Sequence, residues 1–117
     1  MGFTHFKFHP AIAAGIREAG YSHPTPIQKE AIPSIIEGKD VLGLAQTGTG
    51  KTAAFALPIL DRLSKGERHI TRALIVAPTR ELAEQIEASF KLFSHQSGLK
   101  SATVYGGVGQ GPQVAAL

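Results

Sequence analysis

The residues with the clearest chemical purpose are Ala45-Gln46-Thr47-Gly48-Thr49-Gly50-Lys51-Thr52. Closely spaced glycines let a backbone curl until successive N–H groups converge on one anion. A lysine directly after such a curl can reach the β- and γ-phosphates of a nucleotide, and the hydroxyl that follows can ligate Mg²⁺. Lys51 and Thr52 are therefore the catalytic candidates, and Thr52 is also the metal candidate. Gln46, Thr47, Gly48, Thr49 and Gly50 join them as candidates to cradle phosphate. The general pattern opens with glycine, and here that position is Ala45, which takes positive φ less freely.

A loop of this kind works only between a strand and a helix, whose unpaired N–H groups and dipole add to the anion site. The flanks suit it. Residues 40–45 read as a short buried strand, and the apolar run from Ala53 reads as a helix continuing to about Ser64, bent at Pro58. Upstream, a helix is expected over 10–19, opened by Pro10 and ended by Gly20. Another is expected from cap Thr25 to about Glu37, stopped by Gly38, with Pro33 inside it. Residues 72–77 form an apolar run of the kind buried on both faces of a sheet. Thr79 caps a helix to about Gln96 whose inner face holds Leu82, Ile86, Phe90 and Phe93. Residues 101–105 read as a third strand, followed by a glycine-rich loop, and Pro112 can open one more helix. Strands alternating with helical crossovers predict an α/β fold, a parallel sheet flanked by helices. Three strands are few for this class, so the 117 residues read as the beginning of a domain.

Composition narrows the field. Hydrophobic residues make up 43%, enough for a core. The absence of cysteine excludes disulfides and Cys-ligated zinc and fits a cytoplasmic location. His5, Lys7 and His9 interrupt any signal-peptide core, and no apolar run reaches membrane-span length, so no membrane partner is expected. The formal charge of +3 permits a nucleic-acid partner without requiring one. The five histidines are scattered, and none forms a metal-ligand cluster with an acidic residue.

Four segments, in order, resemble the DEAD-box RNA helicases. Gly20-Tyr21-Ser22-His23-Pro24-Thr25-Pro26-Ile27-Gln28, with Phe3 upstream, resembles the Q motif, placed at about 3–28. Residues 45–52 resemble motif I, where an opening Ala is usual. Pro78-Thr79-Arg80-Glu81-Leu82-Ala83 resembles motif Ia, and Gly106-Gly107 resembles the GG element. The resemblance implies that residues 1–117 are the N-terminal portion of a RecA-like, P-loop ATP-binding domain. It implies ATP and Mg²⁺ as cofactors and RNA, held by its backbone, as partner. It implies that Phe3, Tyr21 and Gln28 contact the nucleotide and that Pro78, Thr79, Arg80, Gly106 and Gly107 contact RNA. The implied reaction is ATP hydrolysis coupled to local unwinding of an RNA duplex.

The same residues also admit plain structural accounts. An amide can pair with adenine N6 and N7, yet Gln28 also completes a helix capping box with Thr25. Phe3 can be core beside Phe6 and Phe8. Arg80 can pair with Glu84 on a surface helix. The sequence contains no Asp-Glu-Ala-Asp, no Ser-Ala-Thr motif and no second RecA-like domain. The expectation is a chain without useful activity alone, whose open sheet edge favours self-association. A truncated non-catalytic RNA- or partner-binding protein, or the start of another P-loop enzyme such as a nucleotide kinase, remain alternatives.

Overall fold

Four helices begin where caps and prolines direct them. The computed structural model describes residues 2–46, 48 and 50–104. After a 3-10 turn, Phe3–Phe6, helix α1 spans Pro10–Glu18, α2 Pro26–Ile36, α3 Lys51–Leu63 and α4 Arg80–Ser94. Pro10 and Pro26 each open a helix, where the missing N–H costs nothing. His9 Nδ1 accepts the Ala11 N–H at 3.1 Å. Thr79 Oγ1 accepts the Leu82 N–H at 3.2 Å, the cap expected for α4. Gly20 and Gly38 follow α1 and α2 with φ of +80° and +86°, the left-handed stop that glycine adopts without strain. The helices run on through Pro33 and Pro58.

The helices pack into one layer, α2 on α3, α3 on α4 and α1 on α4. Ile12, Ile16, Ile32, Ala56, Leu57, Leu60, Phe90 and Phe93 form its core, with Phe3 and Phe8 closing one side. Each large side chain sequestered there contributes roughly 1.5–3 kcal/mol. Gly15 sets the α1–α4 spacing. A Cβ there would stand 2.8 Å from the Phe93 carbonyl carbon and closer to its oxygen, so the two backbones touch. Leu82, expected on the inner face of α4, is 37% exposed, in a first turn where Arg80, Glu81 and Glu84 are exposed too and burial begins only toward Phe90 and Phe93.

The three stretches expected as strands form no ladder. Residues 40–45, 72–77 and 101–104 carry no strand assignment, and none makes a backbone-to-backbone hydrogen bond among the described residues. A parallel strand exists only by pairing with a neighbour some 4.8 Å away. Residues 70–75 and 98–104 instead line a common groove of about 650 Å³. Their side chains still keep the period of a strand. Leu74 and Val76 are 87% and 83% exposed, whereas Ala73 and Ala77 are half-buried toward the helices. The alternation of a strand is present without its hydrogen bonds. No helix among the described residues is long and apolar enough to cross a membrane. Gly106, Gly107, Tyr105 and the helix expected from Pro112 lie outside the described residues, as do Thr47 and Thr49.

Candidate nucleotide-binding site

The start of α3 is built as an anion site. Gly50 is its N-cap with φ of +87°, and no side chain caps it, so the first N–H groups of α3 are left to an incoming acceptor. Gly48 also takes positive φ, +80°, with open space where a Cβ would stand. These are the two places where the loop needs glycine for its curvature. Lys51 is exposed, and its Nζ donates to Ala45 O at 2.6 Å, bridging the base of the loop. Thr52 is half-buried in the first turn of α3. Gln46 is exposed at the loop's start.

The start of α2 packs directly against this loop. Gln28 Oε1 accepts the Thr25 N–H at 2.9 Å, the glutamine half of a capping box. Its Nε2 donates to Gly50 O at 3.1 Å. A Cβ on Gly50 would collide with that amide and stand 3.1 Å from Thr25 Oγ1, so glycine is required by contact as well as by φ. Gln28 is only 1% exposed, and described residues occupy two of its four hydrogen-bonding positions. Thr25 Oγ1 is buried at the same helix start, turned to the Gln28 backbone N–H as the other half of that capping box. Positive-φ glycines and a helix start with no side-chain cap together fit a nucleotide. Such a ligand would meet Lys51 and the α3 N–H groups with its phosphates. For Mg²⁺ the described residues offer the Thr52 hydroxyl and no carboxylate cluster.

The aromatic candidates Phe3 and Tyr21 share one groove with Phe8, Ile16 and Ser22. Phe3 is 6% exposed, tilted against Phe6 and Tyr21 with ring centroids 6.1 Å away in each case. Tyr21 is 41% exposed and meets Phe93 edge-on at 5.2 Å. These contacts make Phe3 part of the core. Pro78, Thr79 and Arg80 stand exposed together at the start of α4. One linking residue carried little sequence signal. Asp61, 8% exposed on α3, accepts the His9 N–H through Oδ1 at 2.6 Å and so ties the N-terminal segment to the phosphate-loop helix. Its only visible mark was an i, i+4 pairing with Lys65, which forms at 3.8 Å.

A glycine-turned helix start joined by hydrogen bond to a glutamine-capped helix is the arrangement of a P-loop protein with a Q motif. Residues 25–117 match the family model "DEAD/DEAH box helicase", and the chain belongs to that family. It is 45% identical over all 117 of its residues to the DEAD-box ATP-dependent RNA helicase CshA of Streptococcus pneumoniae serotype 4, covering 22% of that protein. It matches the crystal structure of a DEAD box protein from Methanococcus jannaschii at a TM-score of 0.92 with 36% identity, across 100% of this chain and 32% of that one. The ADP-bound RNA helicase Prp28 of Chaetomium thermophilum gives 0.86 with 37% identity, across 98% and 29%. The fold is thus part of a RecA-like α/β domain, although its strands are unpaired here. The chain spans about a fifth of the length of the CshA protein it matches.

Proposed function

We propose that the chain is the ATP-binding portion of an ATP-dependent RNA helicase that couples ATP hydrolysis to local unwinding of RNA. The observation that carries this reading is the Gln28–Gly50 hydrogen bond, which joins the Q-motif helix to the phosphate loop. In this reading Lys51 neutralises the phosphates, Thr52 ligates Mg²⁺, and the free positions of the Gln28 amide address adenine. Because Gln28 is sequestered, that contact requires its remaining N–H and lone pair to become accessible. Phe3 and Tyr21 back the adenine side. Pro78, Thr79 and Arg80, with Gly106 and Gly107, hold the RNA backbone, so little base preference follows.

Bound Mg²⁺ would screen the phosphate charge; positioning the attacking water and stabilising the transition state need carboxylates and arginines that these residues do not supply. The isolated chain therefore binds nucleotide without turning it over. It acts in the cytoplasm as part of a protein with a second RecA-like domain, and alone it self-associates through its exposed apolar segments.

Titration of fluorescent ATP into the chain, with and without Mg²⁺, tests the nucleotide reading. Lys51→Ala is expected to weaken binding at least about tenfold, or ~1.4 kcal/mol, while its circular dichroism stays unchanged. Equal affinity in a folded Lys51→Ala protein would remove the phosphate-loop assignment.

A further inference from the structure

Among the described residues Asp61 is the only buried carboxylate, and nothing in the phosphate site uses it. It shares α3 with the buried Ala54, Leu57, Pro58 and Leu60. A charged side chain taken out of water costs free energy unless it is paired and hydrogen-bonded. Lys65 gives it a long contact, 3.8 Å from a mostly exposed ammonium, and such pairs contribute little. Its close partner is the His9 N–H, 2.6 Å from Oδ1, a bond strengthened by the charge on the acceptor.

His9 joins two elements. Its carbonyl accepts the Ile12 and Ala13 N–H groups at 2.9 Å each and its ring accepts that of Ala11, so the residue is fixed to the first turn of α1. Its own N–H belongs to the planar peptide that ends the N-terminal segment. Holding that N–H sets the direction in which residues 3–8 leave α1. Lys7 then bends the chain in the left-handed region, φ 56° and ψ 45°, and Phe8 and Phe3 both reach the core. A non-glycine residue keeps that conformation only where its surroundings hold it. Core packing of Phe3 and Phe8 and the Asp61 bond at His9 hold this one from both sides.

We propose that Asp61 is a positioning residue for nucleotide binding: by holding the His9 N–H it anchors the segment that carries Phe3 to the helix that begins at the phosphate loop. This role presupposes that Lys51 meets the phosphates and that Phe3 backs the adenine, as proposed above. Lys51 opens α3 and Asp61 lies about 15 Å along the same helix. One rigid element thus carries the phosphate group's partner at one end and the anchor of the aromatic segment near the other. Base and phosphates are covalently joined, so a nucleotide gains from a site whose two halves are already held at the right separation. Asp61 touches neither half. Its loss is felt by a ligand that uses both and not by one that uses the phosphate loop alone.

Calorimetric titration of the 117-residue chain with ATP and with inorganic tripolyphosphate, both with Mg²⁺, reads this split. Asp61→Ala and Asp61→Leu both remove the acceptor, and the second keeps the buried space filled should the first unfold. Each is expected to weaken ATP binding about threefold to tenfold, the worth of one hydrogen bond, and to leave tripolyphosphate binding unchanged. Asp61→Asn retains an acceptor oxygen and should restore most of the ATP affinity. In a Phe3→Ala background Asp61→Leu should have no further effect on ATP, because the two act as one unit. Folded Asp61→Ala or Asp61→Leu proteins that bind ATP as the parent does would overturn the role of Asp61 and leave the nucleotide site standing. Equal losses for ATP and tripolyphosphate, or a loss that persists undiminished in the Phe3→Ala background, would overturn it too, by placing the effect in α3 itself. A parent chain that binds neither ligand would overturn the phosphate-loop reading together with this one.

Discussion

Gln28 Nε2 donates to the carbonyl of Gly50 across 3.1 Å, linking the first turn of one helix to the cap of another. The bond is possible because Gly50 lacks a Cβ. Any side chain there would occupy the space of the amide, and the residue would also hold φ of +87°. Gly50→Ala is therefore expected to be costly twice over, by about 1–2 kcal/mol for the left-handed backbone and roughly 1 kcal/mol for the displaced bond. A melt of the variant should fall well below that of the parent chain. A melting temperature within error of the parent would show that the bond is not formed in solution.

Gln28→Ala separates capping from base recognition. Losing the cap is expected to cost about 1 kcal/mol of stability. If the amide also reads adenine, the preference for ATP over GTP should shrink by on the order of 1–3 kcal/mol. Titrating both nucleotides against both proteins decides it. A lower melting temperature with undiminished discrimination would leave Gln28 a structural cap that also pins the loop.

Gly15→Ala tests the spacing of α1 and α4. The added methyl would be driven into the Phe93 carbonyl, and neither backbone can yield without unpacking Ile12, Ile16 and Phe93. Overpacking of this kind costs about 1–3 kcal/mol. Tyr21, edge-on to Phe93, should report the shift by its fluorescence. Unchanged stability and an unchanged Tyr21 signal would contradict the backbone contact.

Local rules carried most of what the sequence revealed. Caps at Thr79 and Thr25, prolines at positions 10 and 26, and glycines at 20 and 38 act through neighbouring backbone, so helix bounds followed from them within one or two residues. The loop of 45–52 was legible because Gly48, Gly50, Lys51 and Thr52 act as a contiguous unit. Pairing was not legible. Strand-forming runs such as 72–77 state which side of a residue is apolar and not which chain lies beside it, and here no described residue pairs with them. Contacts across long separations escaped for the same reason. Nothing around Gly15 announces Phe93, and nothing around Asp61 announces the His9 N–H it accepts across 52 positions.

Arg80→Ala tests whether RNA binding and nucleotide binding are separable in this chain. It is the first residue of α4, exposed, one residue past a threonine that caps the helix. A helix start with a guanidinium beside it suits a nucleic-acid phosphate better than a base edge. Arg80→Ala is expected to weaken RNA binding similarly for unrelated sequences. It should also flatten the dependence of affinity on salt by about 0.7 in the log–log slope, the counterion share of one phosphate on a single strand. Affinity for ATP should hold, because the loop of α3 is built from other residues. RNA titrations at several salt concentrations, with ATP binding followed in parallel, make the measurement. A variant with the parent's RNA affinity and salt slope would reduce Thr79 and Arg80 to an ordinary helix start, and a parallel loss of ATP affinity would place Arg80 in the nucleotide site instead.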